Sequence, residues 1–431
     1  MTENLSTTRV GMNCRHCGKE LEHQFLDLGF APPSNAYLKP DDLHAPELYF
    51  PLKLHVCDQC WLVQTEDYAR SDELFTEDYA YFSSTSAGWL KHSADYCAMI
   101  TRRLNLNRGS HVIEVASNDG YLLRNFVDAG IPCLGIEPTD STADAAEAQG
   151  VPVLREFFGQ SLAEQLLAKG KQADLILGNN VYAHVPDIND FTLGLKTALK
   201  PNGTITLEFP HLLNLIQLNQ FDTVYHEHYS YLSLFTVQQI FEQAGLCVYD
   251  VEQLPTHGGS LRIYGCHAEG KRLPAANVTR VLEAEAAAGL RDLAVYQAFQ
   301  NSADKVKNDL LAFLLEQKMS GKRVGAYGAA AKGNTLLNYA GVKPDLLAFV
   351  CDAAPAKQGK FMPGSHIPIL TPDAIAEKQP DFVVILPWNI ADEVMEKNAN
   401  IRDWGGQFVR AVPYFEIIHD NRVRMAFSNG C

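Results

Sequence analysis

The sequence predicts an α/β protein in which a small four-cysteine zinc module precedes two Rossmann-like domains. Three observations predict this: two close cysteine pairs near the N-terminus, a buried strand and glycine turn at 110–120, and a second strand and glycine turn at 324–333. We expect the zinc module over 1–78, a central domain over 79–250 and a C-terminal α/β domain over 251–431. Helices at about 278–320 are expected to link the last two.

The composition is that of a globular protein with an acidic surface. Hydrophobic residues make up 46% of the 431-residue chain and charged residues 20%. The net charge of −15 repels phosphate backbones, so we expect no nucleic-acid or anionic membrane partner. The polar N-terminus and the absence of a run of about 18 apolar residues predict a soluble cytoplasmic protein. The sequence leaves the oligomeric state open, and a monomer is compatible with it.

The two cysteine pairs have the spacing of a structural zinc site. Two residues separate the thiols in each pair, which lets a tight turn present both sulfurs to one tetrahedral ion. Free thiols and an iron site are the alternatives. A closed four-thiolate site has no open position for chemistry, so its role would be structural. We also expect turns across 26–29 and 31–35 and a strand at 52–56. The predicted ligands are Cys14, Cys17, Cys57 and Cys60.

The central domain has the pattern of a nucleotide site. The strand at 110–116 runs into a turn with one glycine, then a helix expected over 121–129, then a strand at 133–136 that ends in Glu137. A single glycine, instead of GxGxxG, favours an adenosyl ligand without pyrophosphate, and S-adenosylmethionine (SAM) is the natural candidate. A helix cap and turn without a ligand is the alternative. The candidate cofactor-binding residues are Glu114, Ser117, Asn118, Gly120, Glu137 and, from the polar turn after a strand at 174–178, Asn179 and Asn180.

The stretch 222–234 is the candidate catalytic segment. Residues 225–231 place a carboxylate, two imidazoles and three phenols within seven positions. The alternative is a half-buried aromatic strand, because the side chains alternate at period two. His184 follows a strand end and would lie beside the cofactor, or pack as a capping residue. A turn is expected at 200–203 before the strand that leads to this segment.

The C-terminal half offers candidate phosphate contacts. Arg262 follows a Gly-Gly turn on an alternating strand and could bind phosphate or an acidic neighbour. Glycines 325, 328 and 333 match neither a dinucleotide nor a P-loop pattern. Helix-start amides beside Lys332 could hold a diphosphate, and a plain strand-to-helix turn is the alternative.

Five motifs in order resemble the sugar C-methyltransferases, SAM-dependent enzymes of deoxysugar biosynthesis: the CxxC pairs, 114–120, 225–229, 257–262 and 328–334. The resemblance implies a zinc-binding domain, a SAM methyltransferase domain and a C-terminal domain that helps to hold an NDP-4-keto-deoxysugar. It implies that His228 is the general base, with Glu227 adjacent. The residues implied to line the sugar are Tyr79, His184 and Tyr225, with Tyr81 as the alternative to Tyr79. The substrate-binding candidates are His257, Arg262, Lys332 and Asn334.

These residue types suit carbon methylation next to a ketone. A base removes the acidic C3 hydrogen, His184 or a tyrosine donates to the C4 oxygen, and Glu227 is expected to orient an imidazole. A nucleotide-sugar oxidoreductase and a non-catalytic binding protein are the alternatives from other classes. The sequence leaves open the nucleotide, the sugar, the methylated carbon and the pathway.

Overall fold

The computed structural model describes residues 12–66, 83–270 and 272–419. Tyr79 and Tyr81, both named as candidates to line the sugar, lie outside the described residues. No helix among the described residues is long and apolar enough to cross a membrane.

The N-terminal sheet is antiparallel and includes a strand from far along the chain. Its order is β1 (His23–Ala31), β2 (Phe50–Val56), β3 (Val63–Thr65) and β9 (Ser230–Tyr231). The turn predicted across 26–29 is wrong, because β1 runs through it. Gly29 has a left-handed φ of 75° and lies in a register irregularity between Asp27 and Phe30. A bulge therefore accommodates this glycine without ending the strand.

The central sheet has seven strands in the order β10-β11-β8-β7-β4-β5-β6. The pairs between neighbours from β8 to β6 are all parallel, which is the doubly wound arrangement that the sequence predicted. The predicted turn at 200–203 is instead the start of a continuous strand. The predicted domain boundary after residue 250 falls inside β10, and β11 pairs with β8, so the central sheet extends to residue 267. The strands are β4 (Val112–Val115), β5 (Cys133–Ile136), β6 (Val153–Leu154), β7 (Ala173–Asn179), β8 (Leu199–Pro210), β10 (Leu246–Leu254) and β11 (Ser260–His267).

Helices cover this sheet, and the first of them begins at a side-chain cap. Ser86 accepts a hydrogen bond from the amide of Trp89 at the start of α1 (Ala87–Leu104). The helix predicted from residue 121 begins only at Arg124, because 121–123 form a turn. The helices are α1 (Ala87–Leu104), α2 (Arg124–Asp128), α3 (Asp140–Ala148), α4 (Gln160–Ala168), α5 (Ile188–Ala198), α6 (Leu212–Gln217) and α7 (Leu234–Gln243).

The C-terminal half forms the second α/β sheet that was predicted, in the order β14-β13-β12-β15-β16-β17. Only β17 is antiparallel to its neighbour. The chain order reverses between β12 and β15, where a ligand crevice forms in doubly wound folds. The strands are β12 (Val324–Tyr327), β13 (Val350–Cys351), β14 (Ile369–Leu370), β15 (Phe382–Ile385), β16 (Gln407–Arg410) and β17 (Glu416–Ile418). The helices are α8 (Ala276–Ala287), α9 (Leu293–Met319), α10 (Ala331–Tyr339), α11 (Ala374–Lys378) and α12 (Ala391–Lys397).

The three predicted parts share hydrophobic cores. One cluster joins Leu54 of the N-terminal sheet, Val224 of the candidate catalytic segment, Leu310 of α9 and Leu336 of α10. A second cluster joins Cys57 and Cys60 to the central sheet and to Val278 of α8. Each part therefore buries apolar surface against the others, and the candidate site lies where they meet.

Candidate active site

The four predicted metal ligands converge at the edge of the N-terminal sheet. Their sulfur atoms all lie within 4.8 Å of one another, with Cys14 and Cys60 3.4 Å apart and Cys17 and Cys57 3.5 Å apart. Zn–S bonds of about 2.3 Å in a tetrahedron need sulfurs roughly 3.8 Å apart, so the arrangement fits a zinc ion. Four thiolates close the coordination sphere, which makes the role of this ion structural.

The turn after β4 carries buried polar atoms that fit a polar ligand. Glu114 has 0% exposure, and neither of its carboxylate oxygens has a partner among the described residues. Oγ of Ser117 and Oδ1 of Asp119 likewise lack a partner there. Burial raises the pKa of Glu114 well above its ordinary value, and the carboxylates of Glu137 and Asp119 add to the effect. Buried polar groups need partners, so this turn is suited to the amino acid end of the predicted cofactor.

Backbone conformation holds this turn close to the sheet. Asn118 and Gly120 have left-handed φ values of 49° and 76°. The carboxylate of Glu137 accepts hydrogen bonds from the amides of Asn118 at 2.9 Å and Thr139 at 3.0 Å. A Cβ at position 135 would lie 2.4 Å from Oγ of Ser117, so only glycine permits this approach. Glu137 thus braces the turn, and its remaining lone pairs can accept bonds from a ribose.

The polar turn after β7, which carries two predicted cofactor-binding residues, contacts a residue from further along the chain. Nδ2 of Asn179 is buried without a partner in the part of the chain that the structure describes. Nδ2 of Asn180 lies 3.0 Å from Nε2 of His257, which itself has a left-handed φ of 54°. Burial lowers the pKa of His257 to about 4, with Lys332 as the next cause. His257 is therefore neutral and lies beside the polar turn after β7.

The candidate catalytic segment folds as a series of turns, so the alternative of an aromatic strand is wrong. A short 3-10 helix (Phe221–Thr223) precedes a turn, and only Ser230–Tyr231 pair as a strand. The ring of His228 lies 3.9 Å from that of Tyr225 and 4.5 Å from that of His184, centroid to centroid. The fold thus brings together three of the predicted catalytic residues, one of which comes from a distant loop.

Both imidazoles of this cluster are neutral at pH 7. Burial lowers the pKa of His228 well below its ordinary value, and His184 is the next cause. Burial also lowers the pKa of His184 to about 4. The His228 ring donates to the main-chain carbonyl of Thr223 and the His184 ring to that of Glu227. Each ring keeps its hydrogen on the nitrogen that donates, so the other nitrogen is left as an acceptor.

Glu227 was expected to orient an imidazole through its carboxylate, and the structure corrects this. Both carboxylate oxygens lie 2.9 Å from Nδ2 of Asn35, a residue of the turn after β1. Burial raises the pKa of Glu227 to about 7, although the Asn35 bond lowers it. The main-chain carbonyl of Glu227, rather than its carboxylate, holds the tautomer of His184. The zinc module thereby supplies a hydrogen-bond donor to the site.

Residues of the C-terminal α/β domain contact the start of the candidate catalytic segment. Nε1 of Trp388 donates to the carboxylate of Asp222 at 2.7 Å. Lys332 lies 4.7 Å over the Trp388 ring and donates to Asn389 at 2.7 Å. Burial raises the pKa of Asp222 to about 6, while Lys332 lowers it. Asp222 opens the candidate catalytic segment and Lys332 was a predicted contact, but nothing local in the sequence marks the contact of Asp222 with Trp388.

Two predicted substrate contacts are occupied within the protein. Arg262 is 4% exposed and pairs with Glu208 at 2.7 Å and Glu252 at 3.1 Å. This corrects the expected phosphate contact in favour of the acidic-neighbour alternative. Asn334 is 1% exposed and donates to the carbonyl of Ser34 at 2.6 Å, so it braces the turn that carries the Glu227 contact.

A polar cluster around Glu208 of β8 was not predicted from the sequence. Glu208 has 0% exposure and accepts hydrogen bonds from His92 at 2.9 Å and Thr256 at 2.9 Å, besides its pairing with Arg262. Burial alone would raise the pKa of Glu208, but these partners hold it below its ordinary value. His92 stacks on Trp89 with a centroid distance of 4.9 Å. In the sequence this cluster is marked by Glu208, an acidic residue near the end of the strand β8.

Comparison with known proteins identifies the family. Family models match a zinc binding domain at 14–75, a methyltransferase domain at 89–251 and a C-methyltransferase C-terminal domain at 255–413. The chain is 32% identical to the C-methyltransferase NovU of Streptomyces niveus over 405 residues, which cover 94% of this chain and 96% of NovU. This chain belongs to the C-methyltransferase family. The predicted family, the SAM-dependent methyltransferase activity, the SAM cofactor and the zinc site are thereby confirmed.

Two further matches cover less than half of this chain. The ubiquinone biosynthesis O-methyltransferase of Rhizobium etli is 28% identical over 101 residues, which cover 22% of this chain and 40% of that protein. A structure of magnesium protoporphyrin IX methyltransferase from Synechocystis with bound SAM covers 42% of this chain and 80% of its own, with 14% identity and a TM-score of 0.33.

Proposed function

We propose that this C-methyltransferase acts on an NDP-4-keto-deoxysugar and methylates C3, the carbon next to the ketone. The observation that carries the proposal is the cluster of His184, Tyr225 and His228, in which a buried neutral imidazole has a ring nitrogen available to accept a proton. Abstraction of a hydrogen next to a ketone needs a base in this state.

His228 removes the C3 proton, and the electrons of the C–H bond form an enolate with its charge on the C4 oxygen. SAM, when bound, supplies the methyl group that the enolate carbon takes up as the sulfonium C–S bond breaks. The ketone re-forms, and His228 returns its proton to solvent. Glu114, Ser117 and Asn118 would hold the amino acid end of SAM, and Glu137 its ribose, in accord with their buried polar atoms and carboxylate.

The enolate oxygen needs a hydrogen-bond donor. His184 already donates to the main-chain carbonyl of Glu227, so its other nitrogen is an acceptor. This favours a tyrosine hydroxyl as the donor, and the Tyr225 ring packs directly on His228. Removing one such donor typically costs ~10²–10³ in kcat.

The nucleotide would lie toward the crevice between β12 and β15. Lys332 follows the Gly328 loop at the start of α10, where helix amides and the ammonium can face a diphosphate. His257 and Lys332 are therefore the proposed substrate contacts. We propose the division of the chain as a zinc module over 1–78, a methyltransferase domain from 79 and a sugar-nucleotide domain after residue 267.

The test is mass spectrometry of NDP-4-keto-6-deoxy and NDP-4-keto-3,6-dideoxy sugars incubated with enzyme and SAM. Parallel samples in deuterated water without SAM report exchange at C3. We expect one added methyl group, with deuterium uptake that depends on His228. Tight SAM binding with neither methylation nor exchange for any of these sugars would overturn the substrate class and the enolate mechanism together.

A further inference from the structure

A small cavity is lined by His228 and by residues of α6 and β9. Its volume is about 20 Å³, which is room for about one water molecule. Its lining includes His211, Ser230, Thr223 and His228. His211 and Ser230 are each 1% exposed.

Two of the lining residues carry a polar atom without a partner among the described residues: Nδ1 of His211 and Oγ of Ser230. The other nitrogen of His211, Nε2, lies 2.7 Å from the carboxylate of Glu285. A carboxylate can only accept, so Nε2 carries the hydrogen and Nδ1 is an acceptor. Glu285 is held in turn by the first amides of α7, those of Leu234 at 2.6 Å and Phe235 at 3.0 Å.

We propose that this cavity binds a water molecule that bridges His211 and Ser230 next to the ring of His228, and that Glu285 polarises this water through His211. The water donates a hydrogen to Nδ1 of His211, which turns its oxygen lone pairs away from His211. The lone pairs of this water oxygen, at the end of the hydrogen bonds that run from Glu285 through His211, stabilise His228 when His228 carries the abstracted proton. Glu285, His211 and Ser230 are thus positioning residues, and their role rests on the proposed function of His228 as the base.

The surroundings of His228 explain why such support matters. Burial lowers its pKa most, His184, His257 and Lys332 lower it further, and the Thr223 carbonyl is the contact that raises it. An imidazolium in this site therefore loses its hydration and faces the charge of Lys332, and a polarised water on the other side offsets part of that cost. The titratable groups around the ring are His184, His257, Lys332, Tyr225, Tyr231 and, across the cavity, His211.

The first test needs no substrate. A high-resolution crystal structure should show a water within hydrogen-bonding distance of Nδ1 of His211 and Oγ of Ser230. Nuclear magnetic resonance of ¹⁵N-histidine protein gives the pKa of His228 in Ser230→Ala, Glu285→Gln and the control Ser233→Ala. Ser233 caps α7 in the same segment but does not line the cavity. We expect the pKa of His228 to fall in the first two variants, by about a three- to tenfold loss of proton affinity, and to be unchanged in Ser233→Ala.

The second test uses the reaction. Exchange of the C3 hydrogen with deuterated water should slow about three- to tenfold in Ser230→Ala and Glu285→Gln, with unchanged SAM affinity. A dry cavity, or an unchanged His228 pKa in both variants, would overturn the water bridge. If the water and the pKa changes are found but no sugar exchanges, the proposed function fails and the water site stands.

Discussion

The buried carboxyl group of Glu227 makes the stability of this protein depend on pH. Glu227 is 2% exposed, and burial raises its pKa from 4.5 to about 7. The folded pKa is above the unfolded value, so the folded protein keeps a proton that the unfolded chain releases. The contribution of Glu227 to the free energy of unfolding is fully present below pH 4.5 and is lost as the pH rises to about 7.

The size of the effect follows from the two pKa values. A rise from 4.5 to about 7 corresponds to about 3 kcal/mol between the acid and alkaline limits. Glu227→Gln removes the titration, and its side-chain oxygen can still accept from Asn35. Between pH 5.5 and pH 8 we expect the variant to gain about 2 kcal/mol of unfolding free energy relative to the native protein.

Urea unfolding of both proteins, followed by tryptophan fluorescence at a series of pH values, measures this difference. Glu242→Gln is the matched control, because Glu242 is exposed on α7 and stays hydrated in both states. Its difference from the native protein should be the same at every pH. The reasoning would be refuted if the gain in unfolding free energy of Glu227→Gln over the native protein were independent of pH or fell as the pH rises.

Three further variants test the site. His228→Ala should lower turnover by about 10²–10⁴ while SAM affinity is kept; His226→Gln is the control, and equal loss of turnover and SAM binding would indicate a structural role. Asn35→Ala removes the bond that lowers the pKa of Glu227, so the loss of stability should end at a higher pH in the urea series. Cys57→Ser should lose zinc by metal analysis, whereas Cys247→Ser should retain it; zinc retained in both would count against the site.

Local motifs predicted the parts of the fold that depend on a few consecutive residues. The CxxC spacing and the strand-turn pattern around Glu114 each set a geometry within a short stretch, so both could be found in the sequence. Turn signals were less reliable. Gly29 is absorbed by a bulge, and Pro201 lies at the exposed start of β8, where a strand tolerates proline.

Contacts between distant parts of the chain could not be predicted. Asn35 reaches Glu227, and Trp388 reaches Asp222, only because separate sheets pack on one shared core. The period-two alternation in the candidate catalytic segment predicted its buried character but not its shape. Few of its residues find a strand partner, so most of it forms turns.

The pairing of β9 with β3 has a consequence for protein engineering. Ser230 and Tyr231 complete the sheet of the zinc module, and Thr65 of that sheet donates to the main-chain carbonyl of His228. A chimaera that takes its first 78 residues from one relative and the remainder from another would therefore join strands selected in different proteins. Exchanging acceptor specificity between relatives calls for 230–231 and 63–65 to be transplanted as a matched pair.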